Sequence, residues 1–229
     1  DHRPLAATYT LEENPMPNRY PGYPGANQTA LWFHGRFSAS PIKPNVGVLH
    51  TTETMGLPSY EGGSKAPHYS AMPRIKVKRL DWYQHYLETE SSRALVNADG
   101  GVETNTLNAY QVELIGTCDP SKRKIWTYQG DVVGRAGVDY IYWPEAPKWA
   151  LDELADFMAS ANKRLGIKPV APAFQAYPAS GGANVRDGGP SNRVRFTFAR
   201  WRSFYGWLGH EHVPENTHGD PGNIDIGYL

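Results

Sequence analysis

The stretch Val46-Gly47-Val48-Leu49-His50-Thr51-Thr52-Glu53 indicates the fold class. Its first five residues are a mostly apolar run, and the polar residues that follow end it, which is typical of a short buried strand. His50 closes this strand at its carboxyl end. In sheet-based α/β proteins, binding sites gather at the carboxyl ends of the strands. The stretch therefore predicts an α/β domain in which His50 lies at the edge where a site forms.

A second strand is predicted over Tyr110 to Ile115, because its side chains alternate in character. Successive side chains of a strand point to opposite faces. Val112 and Leu114 therefore share one face, and Glu113 lies on the other. We expect Glu113 to face the site.

Two helices are predicted in the second half of the chain. The clearer one runs from Pro147 to Leu165, with apolar residues at helical spacing and Gly166 as its stop signal. The other runs from Ser191 to about Tyr205, with its arginines, Arg195 among them, largely outward. The glycine-rich segment from Ala179 to Pro190 predicts a loop between them.

Composition excludes several classes of protein. The 229 residues include 23 basic and 23 acidic ones, so no overall field draws the chain to nucleic acid. No run of 18 apolar residues is present, so no membrane insertion is expected. Cys118 is the only cysteine, which rules out an intrachain disulfide. We expect a monomer.

The amino-terminal part differs in composition from the rest. Residues 11–27 contain four prolines and two glycines, a density that opposes helices and sheet interiors alike. We therefore divide the chain into a Pro/Gly-rich extension (residues 1–43) and a main domain (residues 44–229). The extension is either a linker or a strap packed on the domain, and Tyr20 and Tyr23 favour the strap.

A histidine-rich segment follows near the carboxyl end, from Gly209 to Gly222. Imidazole nitrogen and carboxylate oxygen are the ligands of catalytic zinc, which keeps a fourth position for water. His50 and two residues of this segment have the form of such a set. On an extended backbone His210 and His212 point the same way, so the residues alone leave the choice of ligands open.

Three blocks of the sequence resemble the zinc-dependent N-acetylmuramoyl-L-alanine amidases of the type 2 amidase and peptidoglycan recognition protein family, which includes phage endolysins. His50, at a strand end and followed by two threonines, is similar to the family's first ligand block. Residues 111–116 (QVELIG) look like its G-I-E-L-E-G strand. Residues 209–222 match its G-H-x9-D-P-G pattern. The resemblance covers about residues 44–226 and implies a central mixed sheet flanked by α-helices.

The resemblance also implies roles for individual residues. His50, His210 and Asp220 would bind one zinc ion per chain; a set containing His212 or His218 is the alternative. Glu113 matches the family's catalytic glutamate. His218 stands where many members carry a lysine, so we expect it to act as a catalytic donor or to orient a neighbour.

Three further residues are candidates for substrate binding. His68 and Tyr69 lie in a segment similar to the family's S-x-H-Y/F element beside the substrate groove. The alternative for His68 is a structural histidine hydrogen-bonded to the backbone. Asn97 ends residues 91–97 (SSRALVN), where many members have a pocket segment, but the tryptophan and histidine typical of that segment are missing here.

The function implied by the resemblance is hydrolysis of the amide between N-acetylmuramic acid and L-alanine in bacterial peptidoglycan. We expect a phage endolysin, made in the host cytoplasm and acting on the cell wall. One alternative is a peptidoglycan-binding module without catalysis, although such members typically lose a zinc ligand. Another is a zinc peptidase acting within the stem peptide, for which no H-E-x-x-H helix is present. Co²⁺ or Mn²⁺ could occupy the same ligands.

Overall fold

The computed structural model describes residues 18–97, 99–126, 128–129, 132–133, 139–177 and 194–229. The loop predicted over Ala179–Pro190 lies outside these residues, as do the first three residues of the second predicted helix and residues 1–17 of the extension.

The regular elements are short except for one helix. The strands are β1 (Val46–Thr51), β2 (Tyr69–Arg74), β3 (Arg79–Gln84), β4 (Ala109–Leu114), β5 (Gly116–Thr117), β6 (Tyr128–Gln129), β7 (Val132–Val133), β8 (Ile141–Tyr142) and β9 (Gly206–Gly209). The helices are α1 (Thr104–Leu107), α2 (Pro120–Trp126), α3 (Lys148–Leu165) and α4 (Phe198–Ser203). Single 3-10 turns cover Tyr60–Gly63, Ile75–Val77, Trp143–Glu145 and His210–His212.

Five strands form the central sheet, in the order β3-β2-β4-β1-β9. Strands β2, β4, β1 and β9 are parallel to one another, and β3 alone runs antiparallel to its neighbour β2. The fold is therefore α/β with a mixed central sheet, as predicted. The parallel strands all end at the same edge of the sheet.

Both faces of this sheet are covered by apolar side chains. On one face, Leu49 and Val112 pack with Phe157 of α3. On the other, Val48 packs with Trp201 of α4. Burial of both faces explains why β1 and β9 are nearly continuous apolar runs.

The predicted helix over residues 147–165 is confirmed as α3. It ends at Gly166, which adopts a left-handed conformation with φ of 75° and donates its N–H to the carbonyl of Asn162 at 2.9 Å. Glycine takes this conformation without the steric cost of a Cβ atom. Of the helices in the described ranges, none is both long and apolar enough to cross a membrane.

The second predicted helix is wrong in extent. Only Phe198–Ser203 is helical, and residues 194–197 carry no helix. Phe196 instead donates its N–H to the carbonyl of His212 at 2.8 Å. Arg195, expected outward, is 4% exposed, and its guanidinium donates to the carbonyl of Val213 at 2.6 Å. Bonds to the histidine-rich segment therefore outweigh the helical pattern here.

The described part of the extension, residues 18–43, lies along the β3 edge of the sheet. Asn27 donates to the carbonyl of Trp82 at 2.8 Å and accepts from the N–H of Gln84 at 3.0 Å. Further along, the N–H of Phe33 donates to the carbonyl of His85 at 2.8 Å. These backbone bonds satisfy polar groups that an edge strand otherwise leaves open.

Candidate metal site

One row of side chains crosses the sheet at its carboxyl edge. His50 of β1 is in register with Glu113 of β4, and Glu113 is in register with Ser70 of β2. His210 follows directly after β9 on the other side of β1. Residues in register on adjacent strands point to the same face. The topology thus places residues from four parallel strands beside one another.

His50, His210 and Asp220 converge at the end of this row, and all three are buried. The Nδ1 atoms of His50 and His210 lie 3.0 Å apart. Asp220 places one carboxylate oxygen 3.3 Å from Nδ1 of His210 and the other 3.6 Å from Nδ1 of His50. Within the described chain, these three residues form the one group of this kind that can hold a metal ion.

The spacing of the donor atoms fits a small cation. Around a tetrahedral ion with bonds of about 2.1 Å, donor atoms lie roughly 3.4 Å apart. The two imidazole nitrogens are 3.0 Å apart, and the nearest carboxylate oxygen to each, a different one in each case, lies at 3.3 or 3.6 Å, so all three distances are close to that value. Two imidazole lone pairs repel each other at 3.0 Å unless a proton or a cation lies between them. The arrangement is therefore complementary to a positive charge at its centre.

Asn216 fixes which nitrogen of His210 faces that centre. Nε2 of His210 lies 3.0 Å from Oδ1 of Asn216, and an amide oxygen only accepts, so Nε2 carries the proton. The amide itself is oriented, because Oδ1 also accepts from the N–H of Val96 and Nδ2 donates to the carbonyl of Pro214. In the neutral ring, Nδ1 of His210 then carries the lone pair that a metal ligand requires.

The charge states of the group suit metal binding. Burial lowers the pKa of His50 well below 6.5, so its ring is neutral at pH 7. Burial alone would raise the pKa of Asp220, but attraction to His210 and His50 outweighs it and holds that pKa well below the ordinary range. The N–H of Thr51 also donates to Asp220 at 3.1 Å. The neutral imidazole of His50 and the ionised carboxylate of Asp220 therefore face the centre.

Glu113 lies beside this group, and its carboxyl has an unusually high pKa. Burial raises its pKa from 4.5 to about 8, and the negative charges of Asp220 and Glu53 add to the effect. Its Oε2 atom is buried and has no hydrogen-bond partner in the described part of the protein. The carboxyl group is thus close to the metal ligands and available for proton exchange.

The other two histidines of the segment differ from each other. His212 is buried, accepts from the N–H of Gly209 through Nδ1 at 3.0 Å and bonds the carbonyl of Ala173 through Nε2 at 3.0 Å. Both of its nitrogens are used, so it does not join the metal group. His218 is 68% exposed, and its Nδ1 lies 3.7 Å from Asp220. Its ring stacks on that of His210 at 4.8 Å, and partial burial, followed by His210, lowers its pKa.

His68 and Tyr69 do not reach the site, contrary to the role expected for them. His68 is fully buried; Nε2 donates to the carbonyl of Glu90 at 2.7 Å, and Nδ1 accepts from the N–H of Gln111 at 3.0 Å. His68 is therefore a structural histidine hydrogen-bonded to the backbone, which was the alternative interpretation of this residue. Tyr69 points to the α3 face and donates its hydroxyl to Glu88 at 3.1 Å. Both side chains are occupied inside the protein, so neither is placed to contact a substrate.

Asn97 lies near the site without lining its main cavity. Its Nδ2 donates to the hydroxyl of Thr106 at 3.1 Å, and its Oδ1 accepts from the N–H of Asn105 at 2.7 Å. The preceding residue, Val96, does line the main cavity. Asn97 instead lines a smaller neighbouring cavity.

A chain of hydrogen bonds beside Glu113 is not visible in the sequence. His85 donates from Nδ1 to the carbonyl of Leu31 at 2.8 Å, so its Nε2 accepts from the hydroxyl of Ser70 at 2.8 Å. Ser70 in turn accepts from the hydroxyl of Tyr60 at 2.5 Å. Burial lowers the pKa of His85 to about 4, which keeps the ring neutral and the direction of the chain fixed. No spacing motif connects these residues.

The carboxylate of Glu53 accepts hydrogen bonds through both of its oxygens. Its Oε1 accepts from the N–H of Cys118 at 2.8 Å and the hydroxyl of Thr51 at 2.9 Å. Its Oε2 accepts from Lys122 at 2.9 Å. Glu53 therefore ties the end of β1 to the segment that follows β5, and supports the site from the side.

A cavity of about 750 Å³ opens above the metal group. Its lining includes the three metal-group residues, Glu113, Tyr60 and His218. This volume is typical of small-molecule and cofactor sites, which measure roughly 300 to 1,000 Å³. A substrate in this cavity would therefore lie against both the metal group and the carboxyl of Glu113.

Comparison with known proteins gives no match to this chain: no family model, no curated protein and no solved structure is similar to it. The site itself is therefore the basis for a function.

Proposed function

We propose that this chain is a zinc-dependent amidase that hydrolyses the bond between N-acetylmuramic acid and L-alanine in bacterial peptidoglycan. One observation carries the proposal: the buried group of His50, His210 and Asp220 lies next to Glu113 at the base of an open cavity. Zinc hydrolases need three ligands, an open side and a nearby acid-base group. The motif resemblance supplies the substrate.

The donor set supports zinc as the ion. Two imidazole nitrogens and one carboxylate oxygen suit zinc, whereas magnesium and calcium take oxygen ligands. When bound, zinc lowers the pKa of a coordinated water to about 7 and polarises a carbonyl. His50, His210 and Asp220 hold the ion, and Asn216 keeps the ring of His210 in the required tautomer.

Glu113 is the acid-base residue in this proposal. It accepts a proton from the attacking water and passes it to the departing amine of L-alanine. A pKa near the working pH is best for both steps, and burial raises that of Glu113 to about 8. A bound cation would favour the carboxylate and bring this pKa down. Such acid-base help contributes roughly 10²- to 10⁴-fold in rate.

His218 is assigned the role of donor to the carbonyl oxygen. It is largely exposed on the wall of the cavity, so an N–H of its ring can approach a bound substrate. A donor at the developing negative charge lowers the barrier. Because its pKa is lowered, His218 acts through a neutral N–H and not through a full positive charge.

The cellular role follows from the same resemblance. We propose a phage endolysin that is made in the host cytoplasm and degrades the cell wall. Two alternatives remain: a binding module without catalysis and a peptidase that cuts within the stem peptide. The carboxyl of Glu113 beside the metal group favours a hydrolase over a binding module, since binding alone needs no acid-base residue.

The proposal is tested on a soluble N-acetylmuramoyl peptide that begins with L-alanine. The zinc-loaded chain should release the peptide with a free amine on L-alanine, and Asp220→Ala should abolish release. His34→Ala is the matched control, because His34 is a histidine that lines neither the main nor the smaller cavity. Cleavage between amino acids of the peptide would indicate the peptidase. Zinc-loaded protein that binds the peptide without cleaving it would indicate the binding module.

A further inference from the structure

A second cavity of about 360 Å³ adjoins the one above the metal group. The two cavities share Arg93 and Leu95 in their linings. Leu95 belongs to the segment that continues to Val96, which contacts the metal-side cavity and donates its N–H to Asn216. The second cavity therefore extends the site in a direction away from the metal ligands.

The lining of the second cavity is almost entirely polar. Five of the residues that line it carry a hydroxyl group: Ser38, Ser40, Ser64, Ser91 and Thr106. Two amide side chains complete the polar set, and Arg93 is its single charged residue. The lining contains no carboxylate and no aromatic ring. Hydroxyl and amide groups both donate and accept, so they match a ligand that also carries hydroxyl and amide groups.

One wall of this cavity comes from the amino-terminal extension. The N–H of Ser91 donates to the carbonyl of Ser40 at 2.8 Å, and the N–H of Ser40 donates to the hydroxyl of Ser91 at 3.0 Å. The guanidinium of Arg93 lies 5.0 Å from the ring centre of Phe37 and donates to the carbonyl of Ser38 at 3.3 Å. These contacts fix the extension against the domain, so the wall is preformed.

We propose that this serine-lined cavity is a carbohydrate subsite that holds an N-acetylated sugar of the glycan strand next to the reacting muramic acid. The assignment of the glycan as the source rests on the proposed function. The chemistry of the lining favours an uncharged sugar over the stem peptide, whose carboxylates and amine would need several charged partners. Arg93 is the one charged group here; its guanidinium lies over the ring of Phe37 and donates one hydrogen bond to the carbonyl of Ser38.

The extension thus takes part in recognition of the substrate. The extension lies outside the part of the chain that resembles the amidase family, so the family motifs give no indication of the wall that Ser38 and Ser40 form. A glycan strand should bind more tightly than a single muramoyl peptide, because it fills both cavities. The expected consequence is a preference for polymeric over fragmented substrate.

The test measures binding of a β-1,4-linked tetramer of N-acetylglucosamine, which contains no amide that the proposed reaction cleaves. Zinc-loaded protein is titrated with the tetramer by calorimetry or by NMR. Ser40→Trp fills the cavity from an exposed position. Thr29→Trp is the matched control, since Thr29 is exposed on the same extension and lines neither the main nor the smaller cavity.

The parent and Thr29→Trp should bind the tetramer saturably. Ser40→Trp should weaken binding roughly tenfold or more, equivalent to about 1.4 kcal/mol. Equal binding by Ser40→Trp and the parent, or no binding by the parent, would overturn the subsite. The subsite would also be overturned if Ser40→Trp bound a free stem peptide more weakly than the parent but bound the tetramer equally well. The tetramer experiment does not depend on hydrolysis, so its result tests the subsite independently of the amidase activity.

Discussion

Replacing Glu113 by glutamine should make the metal-free protein more stable while it removes the activity. The carboxyl of Glu113 is held in a buried place next to Asp220 and Glu53, which raises its pKa from 4.5 to about 8. At any pH between these two pKa values, Glu113 keeps its proton in the folded protein and releases it in the unfolded chain. Stability is therefore full below pH 4.5 and is lost as the pH rises to 8. Glutamine is neutral throughout and avoids this loss.

The magnitude follows from the shift. Each pH unit between the two pKa values costs about 1.4 kcal/mol of unfolding free energy. From pH 4.5 to pH 7 the accumulated cost is about 3 kcal/mol for a pKa near 8. For a chain of this length, a change of 1 kcal/mol moves the melting temperature by roughly 2 to 4 °C. Glu113→Gln should therefore melt several degrees above the parent at pH 7 and at the same temperature below pH 4.

The assay is thermal unfolding of both proteins in chelator, repeated at pH values from below 4 up to 8. Glu145→Gln serves as control, because that carboxylate is 56% exposed and pairs with Arg123 at the surface. A surface pair contributes about 0 to 1 kcal/mol. With zinc bound, kcat of Glu113→Gln should fall roughly 10²- to 10⁴-fold. A Gln variant less stable than the parent at pH 7, or a difference that does not change with pH, would refute the reasoning.

Three further substitutions test the structure around the site. Asn216→Ala removes the acceptor for Nε2 of His210 and should weaken zinc binding roughly 10- to 100-fold in competition with a chromogenic chelator; unchanged affinity would contradict the tautomer argument. Gly47→Ala should lower the unfolding free energy by about 1 to 3 kcal/mol in urea, because its Cβ would lie 2.3 Å from the ring of Trp207; wild-type stability would contradict the close approach. Glu88→Ala breaks a buried ion pair with an arginine of α3 and should cost about 3 to 5 kcal/mol; a loss under about 1 kcal/mol would mean that the pair is effectively solvated.

The central strand and the long helix were predictable because their signals are local. The apolar run that ends at His50 and the helical spacing up to Gly166 depend on neighbouring residues alone. The face of Glu113 was also predictable, since alternation in a strand follows from geometry. These features required no knowledge of how distant segments pack.

The misplaced residues depend on contacts that the sequence does not display. Tyr69 was expected in the groove, but β2 turns it toward α3, where it bonds Glu88. The helix expected from residue 191 begins only at Phe198, because the backbone of Phe196 bonds the carbonyl of His212. In both cases a tertiary hydrogen bond decides the outcome over the local pattern.

The metal site was also only partly predictable from the sequence. His50, His210 and Asp220 stand in a motif, and the structure brings them together. The motif spacing favoured His210 over His212, and the structure adds the physical reason, because both ring nitrogens of His212 are bonded to the backbone. Asn216 gave no signal, because any polar residue can precede or follow a ligand; its role depends on the path of the turn that carries it.

The most direct test of the central claim is digestion of purified peptidoglycan by this chain, with chelator and then with added zinc, followed by mass spectrometry of the released fragments. The account predicts intact stem peptides with a free amine on L-alanine, absent in chelator and restored by zinc. Stem peptides that stay attached to the glycan while zinc is bound, or the same release in chelator, would contradict it.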